Sequence, residues 1–130
     1  MKTEATHRRL LMLADLLDTV PKEQFDLSCW AHKPKGKRIG GCGTTACAVG
    51  WATTHPGFKK AGLRLKKRER HTAVPEYKGH VSWAAVTAFF GVDLRQAGLL
   101  FMSAQYPRGC YTTPAEVAKR IREFVGGNGR

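Results

Sequence analysis

SWAAVTAFFGVDLRQAGLLF, residues 82–101, decides the fold class. Ser82 stands ahead of WAAVTAFF, which is apolar almost all round, the pattern of a helix enclosed by others. Gly91 supplies a stop. Asp93, with Gln96 three positions on, forms a capping-box signal for a second helix, LRQAGLLFM. Two consecutive helices with local start and stop signals predict a mainly α fold.

The signals continue toward the C-terminus. YPRG, residues 106–109, reads as a turn. Thr113, Pro114 and Glu116 then give cap, first-turn proline and capping partner for a last helix ending near Val125. Its Val117, Ile121, Phe124 and Val125 fall on an inward face, and Glu116, Lys119, Arg122 and Glu123 on a wet one. Working back to the N-terminus, Leu10, Leu13, Ala14 and Leu17 recur at helical spacing, so a first helix is expected from a Thr3 cap to about Thr19. Pro21 prevents its continuation, and Phe25 to Trp30 reads as a short extended segment.

Between these helices lie HKPKGKRIGG, a loop by composition, and CGTTACAVGWA, residues 42–52. The second predicts a small-residue helix from about Thr44 to Thr54, capped by Thr44 or Thr45 and ended by the HPG of His55 to Gly57. Residues 63–80 alternate briefly around a PEYKG turn and admit a small β-hairpin, so α+β is the variant of the fold class. The expected organisation is one domain, 1–130, of four to five helices. It comprises an N-terminal helix (1–20), a basic loop (32–41), the small-residue helix (44–54), a basic segment (58–80), a helical part (82–125) and a tail (126–130).

Three of these pieces, CGTTACAVGWA, FFGVDLRQAGLLF and TTPAEVAKRIREFV, carry a resemblance. Together they are similar to a set of small, functionally uncharacterised proteins of bacteria and bacteriophages, in which a CGTxxCxxGWA run precedes an FFG-type helix turn and a TP-capped last helix. The resemblance spans residues 42–125. It implies a shared fold and a cytosolic setting, and it carries over no catalytic residue.

The cysteine run admits three chemistries. Cys42, just ahead of a helix start, would have its thiolate favoured by unpaired amides, and His55, His71, His80 or His32 is a candidate base. Cys42 with His55 is therefore the catalytic alternative, for a hydrolase or transferase. A metal site needs short ligand pairs. The cysteines at 29, 42, 47 and 110 lack them, and positions five apart on a helix point about 140° away from each other, so no metal and no cofactor is expected. The third reading is a packed helix, with Cys47, Gly50, Trp51 and Thr54 on one stripe and Gly50 allowing another backbone close. That reading takes the most weight, and the chain is expected not to be an enzyme.

Charge supplies the functional lead. The chain holds 22 Lys and Arg against 10 Asp and Glu, a formal net charge of +12. Half of those cations fall in two segments: Lys33, Lys35, Lys37 and Arg38; and Lys59, Lys60, Arg64, Lys66, Lys67, Arg68 and Arg70. Such clusters meet phosphates and release counterions, which predicts binding of a polyanion, nucleic acid first, through its backbone. Charge alone equally suits an acidic protein, as in an adaptor between phage and host. Asp15 and Asp18 interrupt the N-terminal apolar run, and no window reaches the roughly 18 apolar residues of a span, so neither a signal peptide nor a membrane partner is expected. Four cysteines without a disulfide framework point to a cytoplasmic setting.

Base readout is weighed against an ordinary helical hairpin at residues 90–101. A recognition helix must show polar side chains, and this one offers mainly Arg95 and Gln96, so the hairpin is preferred. Tyr77, Tyr106 and Tyr111 are candidates for base stacking, each with an equal case as a half-buried core ring.

Overall fold

The structure is a computed structural model that describes residues 4–27, 30–32, 45–67 and 72–127. Among these it holds six α-helices, three short 3-10 turns, a two-stranded ladder and a three-stranded antiparallel sheet. Mainly α with a small β component is the fold.

The two helices of the opening stretch, α4 (Trp83–Phe90) and α5 (Leu94–Phe101), form where their local signals put them. Asp93 and Gln96 make the reciprocal capping box of α5, at 2.7 and 3.0 Å. Gly91 ends α4 in the left-handed region at φ 70°, and a Cβ there would overlap the Thr6 hydroxyl. Ser82 precedes α4 but makes no side-chain cap, because its own φ is positive. The helix bends by 101° into its successor at the Gly91–Asp93 break. That lies in the range of about 90–120° typical of helix-turn-helix corners, whereas an antiparallel hairpin would reverse direction.

The last helix, α6 (Pro114–Gly126), is capped by Thr113 and Glu116 as expected. Val117, Ile121 and Phe124 are buried, while Val125 is only partly so. It packs on α1 (Glu4–Leu17), whose Leu10, Leu13, Ala14 and Leu17 form the buried stripe. Arg122 clamps the pair by reaching Asp15 at 2.9 Å and Asp18 at 2.6 Å.

The small-residue helix is corrected. Thr45–Ala46 is a strand, β2, paired with β1 (Ala31–His32), and α2 covers only Ala48–Ala52, with Cys47 at its N-cap. Pro56 does not end that helix but begins α3 (Pro56–Lys60), since proline's fixed φ suits a first turn and its missing N–H costs nothing there. That extra helix takes the count past the expected four to five. Gly50 justifies itself: a Cβ on it would overlap the Trp30 carbonyl oxygen. Trp51 is buried and donates its indole N–H to Gln24 O at 3.0 Å.

The hairpin region becomes a three-strand meander: β3 (Arg64–Lys67), β4 (Ala73–Tyr77) and β5 (His80–Val81), in that order. Ala73, Pro75 and Tyr77 point into the core while Val74 and Glu76 point away. Lys78 and Gly79 join β4 to β5 with φ 49° and 85°. Two consecutive positive values make the primed two-residue turn that matches strand twist. The rings of Phe58, Tyr77 and Phe101 stack edge-on or tilted against Phe89 and Phe90 of α4.

Candidate polyanion interface

Among the described residues β3 is an edge strand, paired with β4 alone. Register places Arg64 opposite Glu76 and Lys66 opposite Val74 on the outer face, with Leu65 opposite Pro75 on the core face. Lys67 shares the side of Leu65 but is exposed. Just ahead of the strand, Lys59 and Lys60 occupy the last turn of α3, where the helix dipole favours positive charge. Arg64 lies 3.9 Å from Glu76, a weak, largely exposed pair. Among the described residues no carboxylate stands within ion-pair reach of Lys59, Lys60, Lys66 or Lys67. Edge lysines also guard a sheet against pairing with another chain, and that role needs no ligand.

A second group of cations adjoins this strand and was not legible in the sequence. Gly62, in the turn entering β3, sits under the Tyr77 ring, which would stand 3.6 Å from a Cβ placed there. The phenol is approached by Arg9 from α1 and by Lys78 from the hairpin tip. Arg9 is fixed by a bond from its guanidinium to Phe89 O at 2.6 Å and by stacking 4.1 Å from the Phe89 ring. The Lys78 ammonium lies 5.3 Å from the centre of the Tyr77 ring. Burial pushes the Tyr77 phenol up, but hydrogen bonds and positive charge from Arg9 and Lys78 outweigh it and leave the group below the usual tyrosine range.

The remaining candidates fall as follows. Lys33, Lys35, Lys37, Arg38, Arg68, Arg70, Cys29, Cys42 and His71 lie outside the described residues, so the structure describes only the β3 half of the cationic pair of segments. The His32 side chain is outside them too. His55 is the N-cap of α3: its Nδ1 accepts from Gly57 N at 3.0 Å, and its ring packs 4.5 Å from Phe58. Cys47 is buried, with its sulfur 3.8 Å from Trp30 O, and Cys110 is exposed. Among the described residues no three His, Cys, Asp or Glu side chains converge on a metal-sized site.

Of the three tyrosines weighed for stacking, Tyr77 and Tyr106 are buried and Tyr111 is 80% exposed. The helix corner offers little to base edges. Gln96 spends its side-chain oxygen on the Asp93 N–H, Leu94 is 65% exposed, and Arg95 is the one cation on α5. No single helix among the described residues is long and apolar enough to cross a membrane.

No protein-family model, no curated protein and no solved structure matches the chain.

Proposed function

We propose that this protein is a non-enzymatic binder of polyanions that holds the phosphate backbone of nucleic acid, in a cytosolic setting. The observation that carries the reading is the lack of neutralisation along one stretch of the chain. Lys59, Lys60, Arg64, Lys66 and Lys67 share a helix end and the edge strand that follows it, and Glu76 is the single carboxylate within reach among the described residues. Arg122, by contrast, takes both Asp15 and Asp18. With an excess of twelve positive charges in the chain, an unmatched cationic segment draws phosphates and releases their counterions. The poverty of polar groups on α5 favours backbone contact over base readout.

The test is anisotropy of labelled mixed-sequence duplex and single-stranded oligonucleotides at low salt, competed with polyglutamate of matched charge. Retention that survives polyglutamate supports the reading. Displacement of the oligonucleotide by polyglutamate at equal charge would turn it toward an acidic protein partner.

A further inference from the structure

We propose that the pocket between Trp30, Trp83 and Met102 takes one unpaired base of a single-stranded nucleic acid whose phosphates meet the cationic strand. The inference rests on the polyanion reading and adds the ligand class to it. The pocket opens to solvent and holds about 210 Å³. That exceeds the roughly 150 Å³ that accepts a benzene ring and falls short of the roughly 300 Å³ at which pockets for larger molecules begin, so it suits one small planar ring system. Buried Cys47 and Phe101 line its inner side, and Met102 and Ser103 its more exposed side. The Trp30 and Trp83 rings stand edge to face with centroids 4.9 Å apart. Indole rings and a thioether hold a base of any sequence through its π-face. Trp51 spends its indole N–H on Gln24 O at 3.0 Å. Among the described residues the indoles of Trp30 and Trp83 and the Ser103 hydroxyl make no such bond, which leaves them for the nitrogens and oxygens of a base edge.

The sheet sets the pocket close to the cations. Register puts Arg64, Glu76 and Val81 in one row across β3, β4 and β5, and Trp83 follows Val81 by two residues. Two strand spacings make about 10 Å from Arg64 to Val81. Glu76, the carboxylate between them, already meets Arg64 at 3.9 Å. In sequence the other cationic segment, Lys33 to Arg38, begins three positions after Trp30. A strand whose phosphates lie along β3 can therefore turn a base into the pocket. A base held in a duplex is stacked and paired and cannot enter, so the partner is single-stranded.

Tryptophan emission of the whole chain is followed on titration with a mixed-sequence single strand, an abasic strand of the same length and a fully paired duplex. The mixed-sequence strand should quench emission and bind about tenfold more tightly than the abasic one. Trp51 is buried and supplies an unquenched background. Duplex at saturation should leave the emission near that of the free chain. Trp83→Leu should remove most of the quench and bring the affinities of the two single strands together. The abasic comparison needs no variant, so it decides the matter even where Trp83→Leu unfolds the chain. Equal affinity for the abasic and mixed-sequence strands, or equal quenching by the duplex, overturns the base pocket and leaves backbone binding standing. A chain that retains no strand of any kind overturns the polyanion reading, and the pocket's role with it.

Discussion

Two tyrosines in this molecule stand beside cations, and they differ in what their polar groups meet. At the α5–α6 corner the Tyr106 hydroxyl donates to Leu100 O at 2.6 Å, under a guanidinium, Arg120, that lies 3.8 Å from its ring. Arg120 in turn donates to Leu99 O at 3.0 Å and Gln105 O at 2.7 Å, carbonyls at the end of α5 and in the turn after it. Every polar group there is spent on backbone. At the hairpin tip the Lys78 ammonium stands 5.3 Å from the centre of the Tyr77 ring, and Arg9 stacks on the neighbouring Phe89 while donating to its carbonyl oxygen at 2.6 Å. Both arginines are anchored on backbone carbonyls, but only at the hairpin tip does a second cation, Lys78, stand beside the tyrosine. A cation near a tyrosine is therefore no sign of a site until its acceptors have been counted.

The comparison can be broken most severely through the scaffold. Gly50→Ala places a methyl on the Trp30 carbonyl, and we expect a loss of about 3 kcal/mol or more in urea denaturation, despite alanine's better helix propensity. Arg120→Met is next. Losing two bonds to carbonyls should cost about 2 kcal/mol of folding stability. Arg9→Met, which loses one carbonyl bond and the stacking on Phe89, should cost about 1 kcal/mol by the same measurement.

The tyrosines themselves sharpen the contrast. Tyr106→Phe should cost about 1 kcal/mol, because Leu100 O loses its buried donor, while Tyr77→Phe should be near neutral. Alkali should separate them as well. Burial holds the Tyr106 phenol above its ordinary value, so its contribution is intact below the unfolded pKa of about 10 and is lost as pH rises beyond it. The Tyr77 phenol is lowered, so stability rises as pH climbs through its folded value toward 10. Urea midpoints of the two phenylalanine variants across that range check both signs. The smallest effect is acidic. The Thr113 backbone N–H, more than Arg108, holds the Glu116 carboxyl low, so its share of stability is lost as pH falls through that folded value, and Glu116→Gln should flatten the acid limb slightly.

What the sequence made legible was whatever its own neighbours decide. The capping boxes at Asp93–Gln96 and Thr113–Glu116 act within one turn, and both helices start where those residues predict. Gly50 was readable as a close approach because a helix interior otherwise disfavours glycine. Pro56 was misread because proline suits either side of a helix boundary, and only the packing of Phe58 beneath α4 selects a new start. Lys59 to Lys67 were visible as a charge run, but their placement on a helix end and an edge strand was not. Arg9 and Lys78 escaped notice because Tyr77 unites them only through the fold, across α1 and the hairpin tip.

The most direct measurement is the salt dependence of oligonucleotide affinity for the natural chain and for Lys66→Glu/Lys67→Glu. The account predicts a steep linear fall of log affinity with log salt, shallower by about two in slope for the double variant. An affinity indifferent to salt, or identical slopes in the two proteins, would contradict it.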